Sequence, residues 1–360
     1  MESEKEISSV VRGKRCALLV DTGAIAGNAR YIKEKTGKML IAVVKANAYG
    51  HGLEQTVNAL CGTADLFAVA TADEALRAAA LGAKAWVMSP LSKGETAALK
   101  GTGVAVTVED ENGAKTAAEY GLPVHVAVDT GMRRYGVDWR DIGKLLRICD
   151  VEGLRTQGIF THFSCADGQD LSSVREQEKR FENAVDVLGK RRFEYIHCAA
   201  SAAALRTSPY GNAVRAGLAL YGVLPDFCTA PLKEVSRLYA RVISTKILED
   251  GDAVGYGAAY TARGKKRIAV IGAGYGDGFP YAMKKCGSVF INCFVCPVVG
   301  NVCMDCAFVD VTNARVKEGD LALVFGGEGE TSFRAAARKT GEIPYSLMTG
   351  IGGRVQRVYV

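Results

Sequence analysis

The stretch Leu40-Ile41-Ala42-Val43-Val44-Lys45-Ala46-Asn47-Ala48-Tyr49-Gly50-His51-Gly52 decides the fold. Its first five residues are apolar and run into a glycine-rich segment, the pattern of a strand buried on both faces. An ammonium at the end of such a strand, followed by Asn, Tyr, His and two glycines, points into a cleft. A lysine there can lose its charge by desolvation and become a usable amine, including a Schiff-base former. Alone, Lys45 would be an ordinary strand-end lysine. The rest of the chain has to decide.

Working outward, apolar runs recur at 40–46, 66–71, 84–89, 103–107, 124–130, 157–164, 195–201 and 213–218. Amphipathic stretches lie between them: Leu53, Val57, Leu60 and Cys61 share one helical face, as do Ile142, Leu145, Leu146 and Cys149. Thr71-Ala72-Asp73-Glu74 reads as a capping box that opens a helix ending near Gly82. Helix after strand, eight times, predicts an α/β fold of the (β/α)8 TIM-type barrel class, with a doubly wound open sheet as the alternative. Beyond about residue 235 the texture changes to alternating runs broken by Asp-Gly and polar turns, at 238–248, 267–273, 286–299 and 307–311. A helical pattern follows at 332–339 and a β-like end at 354–360. The expected domains are therefore 1–235, the barrel carrying the lysine, and 236–360, a mostly β domain.

Composition narrows the class. Of 360 residues, 48% are hydrophobic and 23% charged, as in a soluble globular protein. No apolar run approaches the roughly 20 residues needed to cross a bilayer, and Met1-Glu2-Ser3-Glu4-Lys5-Glu6 leads into no signal-like segment. The net charge of +6 is scattered, which argues against a nucleic-acid partner. Eleven cysteines, an odd count in a large chain, suit free thiols in a reducing, cytoplasmic setting. Cys293-x-x-Cys296 and Cys303-x-x-Cys306 have a spacing of six residues between the pairs, against about 15–20 in zinc ribbons. Their Val- and Phe-rich surroundings read as strands around a turn, so no metal is expected.

Barrel chemistry collects at the C-terminal ends of the strands, which here carry Lys45, Asp129, His162, Ser201 and Arg215. His51, His162 and His197 lie at or near them, favouring a polar site. Ser201-Ala202-Ala203 and Arg215-Ala216-Gly217 follow the last two strands, where barrels often build phosphate sites from backbone N–H groups. A lysine amine facing a phosphate cradle suggests pyridoxal phosphate.

With those residues in hand, the chain resembles the alanine racemase family from about residue 38 to its end. Val43 to Gly52 looks like the family's cofactor-lysine signature. Asp129-Thr130-Gly131-Met132 with Arg134, Thr161-His162-Phe163, Val214-Arg215-Ala216-Gly217 and Leu220-Tyr221-Gly222 match its barrel motifs. Gly255-Tyr256-Gly257, Gly274-Tyr275-Gly276-Asp277-Gly278, Val302-Cys303-Met304-Asp305, Pro344-Tyr345 and Arg354-Val355 match its second domain.

The resemblance implies a PLP-dependent, cytoplasmic homodimer that racemises alanine with two bases and supplies D-alanine for peptidoglycan. Lys45 would bind the cofactor and serve as one base. Tyr256 from the partner subunit would be the other, supported by His162 and Arg215. A phenol near pKa 10 needs such assistance at neutral pH. Arg215 is also expected at the cofactor's ring nitrogen. Tyr49, Ser201, Tyr345 and the backbone of Gly217 and Leu218 would hold the phosphate. Arg134, Met304 and Asp305 would hold the substrate carboxylate.

The chain departs from the family in places. Ala127 stands where many members carry a carbamylated lysine that orients Arg134, so Arg134 needs another partner. Ala200 replaces an Asn, Asn301 an Arg, Cys306 a Gln, and Arg133 a Gly. The alternatives are a serine or broader amino-acid racemase and, more remotely, a non-enzymatic PLP-binding barrel or a decarboxylase of the same two-domain fold. The second domain with its tyrosine argues against the PLP-binding barrel, and the resemblance of Gly255-Tyr256-Gly257 and Met304-Asp305 to racemase motifs argues against the decarboxylase.

Overall fold

The computed structural model describes residue 11 and residues 13–360, in two compact units. The first contains eight parallel strands. Around the sheet they run Ala213–Ala216, Met39–Val43, Leu66–Val69, Ala85–Pro90, Ala105–Val108, Pro123–Asp129, Arg155–Phe160 and Tyr195–His197. The ends of this order come back together: Asn212 N donates to Ile196 O and Arg215 N to Ala199 O, each at 3.0 Å. A barrel forms, and the open sheet does not. All eight runs found in the sequence are present as strands, and most are buried along their whole length, because helices cover one face and barrel side chains fill the other.

The helix Leu53–Leu60 buries Leu53, Val57 and Leu60, but Cys61 caps it and is exposed. In Ile142–Cys149 the buried face is Leu145, Ile148 and Cys149. The helix Ala72–Ala80 starts at Thr71, whose hydroxyl accepts from Glu74 N at 3.2 Å. Only half of the expected capping box is made. The Glu74 carboxylate turns away from Thr71 and accepts instead from Ala70 N (2.9 Å) and Asn47 N (3.1 Å).

The second unit is built on a sheet of order Lys266–Ile271, Ala307–Asp310, Phe294–Val299, Ser288–Ile291, Leu321–Gly326, Ser236–Leu248, Cys16–Val20, Gln356–Tyr359. The 13-residue strand Ser236–Leu248 pairs with Leu321–Gly326 through its first half and with Lys266–Ile271 through its second, which closes six strands into a ring. Register shifts at both halves let one long strand serve two neighbours. Cys16–Val20 lies antiparallel to Ser236–Leu248 and parallel to Gln356–Tyr359. This corrects the expected boundary: residues 16–22 fall inside the stretch 1–235 but go with the C-terminal unit, because their strand completes that sheet.

The first cysteine pair sits on a hairpin whose two turn residues, Asn292 and Cys293, have φ of 48° and 69°, the hand that suits a two-residue connection. Among the described residues no three His, Cys, Asp or Glu side chains gather as a metal site. No described helix is long and apolar enough to cross a membrane.

Candidate active site

Lys45 opens a turn of unusual hand. Ala46, Asn47, Ala48 and Tyr49 all have φ of 53–54°, although none is glycine. Left-handed backbone costs about 1–2 kcal/mol per L-residue, so the turn must be held from outside. Asn47 is where it is held: its N–H donates to Glu74 Oε1, its Oδ1 accepts from Leu53 N at 3.0 Å, and its carbonyl accepts from Gly52 N at 3.0 Å. The half-buried Lys45 amine is less basic than usual, chiefly through desolvation and then through Arg134 and Arg215, with Glu74 opposing.

Arg215 is the hub of the barrel interior. It is 1% exposed. Its Nη1 donates to His197 Nδ1 (2.8 Å) and His197 O (3.1 Å). Its Nη2 donates to Thr161 O (2.8 Å), Cys198 O (2.9 Å) and His162 Nδ1 (3.1 Å). All these acceptors are neutral, so burial pulls even this guanidinium down to about 10. His162 is brought down to about 3 by burial and by the cations Arg215, Arg134 and Lys45. Ser201 begins the helix Ser201–Arg206, and its Oγ accepts from Gly217 N (3.0 Å) and Ala219 N (3.2 Å). The sequence pointed to Leu218 beside Gly217; the second donor to Ser201 is Ala219.

Asp129 is committed to its own loop: Oδ1 accepts from Gly131 N and Arg133 N, and Oδ2 from Arg133 Nη1. Arg133 takes φ of 59° there, the conformation for which glycine is the usual choice. Arg134 is exposed and lies over the Tyr135 ring, 4.9 Å from its centroid. Ala127 is buried in the strand. The Tyr135 ring gives the Arg134 guanidinium an aromatic face to lie on.

In the C-terminal unit, Tyr49 and Tyr345 stand with ring centroids 5.9 Å apart, and burial pushes the Tyr49 phenol well up. His51 is buried there, with its Nε2 2.9 Å from Ser236 Oγ. Tyr256 is 75% exposed, and its carbonyl accepts from Asn301 Nδ2 at 2.8 Å. Met304 is 53% exposed, and the Asp305 carboxylate pairs with Arg354 at 2.8 Å. Cys303 N donates to Cys306 O at 2.9 Å across this turn.

Sequence reading passed over His125 and Glu74. His125 was within reach, since alternation places it with Ala127 and Asp129 on one face of Pro123–Asp129. Glu74 was masked by its role as a helix-start residue.

The residues present fit pyridoxal phosphate. A weakly basic amine suits imine chemistry with an aldehyde. A buried guanidinium without a carboxylate among its partners, and backbone N–H groups converging on a serine hydroxyl, suit an anion.

Two comparisons of sequence and one of structure agree. The family model described as alanine racemase, N-terminal domain, matches residues 20–225, and that for the C-terminal domain matches 235–359. An alanine racemase of Desulforamulus reducens is 35% identical, covering 95% of this chain and 98% of that protein. The alanine racemase of Clostridium difficile 630 superposes with a TM-score of 0.91 at 28% identity, covering 96% of each chain. That of Bartonella henselae, described with covalently bound pyridoxal phosphate, gives 0.87 at 26% identity, covering 96% of this chain and 99% of that one. Matched in order by both domain models and along nearly its whole length by a relative, the chain belongs to the alanine racemase family.

Proposed function

We propose that the chain interconverts L- and D-alanine, with pyridoxal 5'-phosphate bound through Lys45, as a homodimer in which Tyr256 and Met304 of each protomer serve the partner's site. Lys45 carries the reading: a half-buried amine of lowered basicity at the C-terminal end of a barrel strand, with Arg134 and Arg215 nearby. When bound, the cofactor supplies an electron sink for the substrate's α-carbon. Lys45 Nζ takes or returns a proton on one face of that carbon, and Tyr256 Oη does so on the other. Racemisation needs this pairing, since a single base would return the proton to the face it came from.

His162 prepares the tyrosine. Its Nδ1 accepts from Arg215, so its own proton sits on Nε2, and its depressed pKa keeps the ring neutral. An N–H donated to the phenol oxygen favours the phenolate. Arg215, which stays charged at neutral pH, would face the cofactor's ring nitrogen without giving it a proton. Ser201 with the N–H groups of Gly217 and Leu218, and Tyr49 and Tyr345, are assigned to the phosphate. Arg134, Met304 and Asp305 are assigned to the substrate carboxylate. The exposure of Tyr256 and Met304 in the single chain supports the shared site, as side chains that a two-fold partner would cover. Cytoplasmic supply of D-alanine for peptidoglycan follows from this reading.

Initial racemisation rates for alanine, serine and lysine, measured side by side with added cofactor, test the substrate. Alanine is expected to be fastest. A faster serine rate would move the assignment to the alternative, and no turnover of any of the three would remove it.

A further inference from the structure

Arg215 is backed by two histidines that the proposed reaction does not use. His197 Nε2 lies 2.9 Å from His125 Nδ1, and both rings are 0% exposed. The direction of every hydrogen bond in this chain follows from one fact: a guanidinium donates and cannot accept. His197 Nδ1, receiving Arg215 Nη1 at 2.8 Å, must carry a lone pair. A neutral His197 then has its proton on Nε2 and donates it to His125 Nδ1. His125 must in turn carry its own proton on Nε2. That last nitrogen makes no hydrogen bond of good geometry, and the Gln157 side chain acts on the His125 ring in the direction of protonation without outweighing its burial.

The packing holds both rings in place. Trp86 stacks on His125, with centroids 4.7 Å apart and planes 18° apart, and is itself fixed by donation to Thr107 Oγ1 at 3.0 Å. Phe160 stacks on His197 at 5.4 Å with planes 5° apart. Gly158 makes room: a Cβ at that position would stand 2.5 Å from His125 Nδ1. Neutrality is enforced by burial and by the neighbouring guanidinium, which hold His197 well below the ordinary imidazole value and His125 at about 3. A protonated His197 would turn an N–H toward the N–H of Arg215.

We propose that His197 and His125 are positioning residues for Arg215: a neutral two-histidine wire, protonated on Nε2 of both rings, that fixes one edge of the guanidinium so that it meets the cofactor in a single orientation. This rests on the proposed function for what Arg215 meets, but the wire itself is a property of the barrel. It explains why a cation buried among neutral acceptors keeps one geometry without a carboxylate to hold it.

The test has two arms. In the wild-type protein labelled with 15N-histidine, proton–nitrogen correlation spectra at pH 6–8 should show His197 and His125 as neutral Nε2–H tautomers. A doubly protonated ring, or a proton on His197 Nδ1, would overturn the wire. In the second arm, pyridoxal phosphate affinity and the absorption spectrum of the bound cofactor are compared in His197→Leu and His197→Asn. The leucine variant removes the acceptor and should lose about tenfold or more in affinity with a shifted absorption maximum. The asparagine variant, whose Oδ1 falls near the place of Nδ1, should recover most of both. A folded His197→Leu protein with wild-type affinity and spectrum would show that the histidines only fill space. If the leucine variant does not fold, the asparagine variant decides: weak binding and a shifted spectrum in a folded His197→Asn protein would overturn the acceptor role. If the wild-type chain itself binds no cofactor, the functional reading fails, and the tautomers still decide the wire.

Discussion

At the scale of single residues, the account rests on Lys45 and Tyr256. Borohydride should fix the cofactor irreversibly on Lys45, and peptide mapping should find the label there. A label on another lysine would remove the cofactor assignment. The two bases should also separate by direction. On the proposed reading, Lys45 would take the proton of D-alanine and Tyr256 that of L-alanine. Tyr256→Phe should therefore suppress α-proton exchange from L-alanine far more than from D-alanine, with cofactor binding retained. Equal losses, read by deuterium incorporation from each enantiomer, would contradict the two-base assignment. Residues of this kind are legible because motif order places them. Lys45, His162, Ser201 and Arg215 all stand at or near the ends of apolar runs, which the sequence alone displays. His125 escaped because a histidine inside an apolar strand reads as filler until its partner, 72 positions away, is seen beside it. His51 shows the same limit: it stands six positions from Lys45, but the partner of its Nε2, Ser236, is 185 positions away.

Among elements, the left-handed turn after Met39–Val43 has the most at stake. It presents Lys45, and Glu74 from the next strand–helix junction holds it through Asn47 N. Glu74→Ala leaves Asn47 N and Ala70 N without this acceptor, and hydrogen bonds to a charged group are worth about 1.5–3 kcal/mol each. The variant should melt several degrees lower and bind pyridoxal phosphate more weakly with Lys45 untouched. Unchanged affinity in a cofactor titration would mean that the turn keeps its shape without Glu74. No sequence rule foretells four consecutive non-glycine residues at positive φ, since the local preference runs against them and only tertiary contacts pay for it.

A second element-scale prediction concerns Glu234, just ahead of Ser236–Leu248. Burial raises its carboxyl to about 7, and its Oε2 is buried without a partner. A raised acid favours the protonated, folded form. The stability it contributes is therefore fully present below its unfolded pKa of 4.5 and is lost as pH rises through about 7. Melting temperature should fall between pH 5 and pH 8, and Glu234→Gln should flatten that fall. A parallel decline in both proteins would assign the effect to other groups.

For the whole molecule, the eight-fold alternation of strand and helix was enough to read the barrel, because parallel strands buried on both faces leave nearly continuous apolar runs. The second unit was less legible. Its strand Leu321–Gly326 was passed over, and Cys16–Val20 sits more than 200 residues from the strand it pairs with, a separation that local patterns cannot encode. Assembly is a further step, and it carries the central claim: a site completed by Tyr256 of a second copy. Neither Lys45→Ala nor Tyr256→Phe alone should racemise alanine at an appreciable rate. In a mixed dimer, however, one site has both bases intact. Random subunit exchange makes about half the dimers mixed, each with one working site of two, so about a quarter of wild-type activity should return. The decisive measurement is alanine racemisation by dimers shown, with two distinguishable tags, to contain one chain of each variant. The shared-site account predicts that recovery; tagged mixed dimers that stay inactive would contradict it.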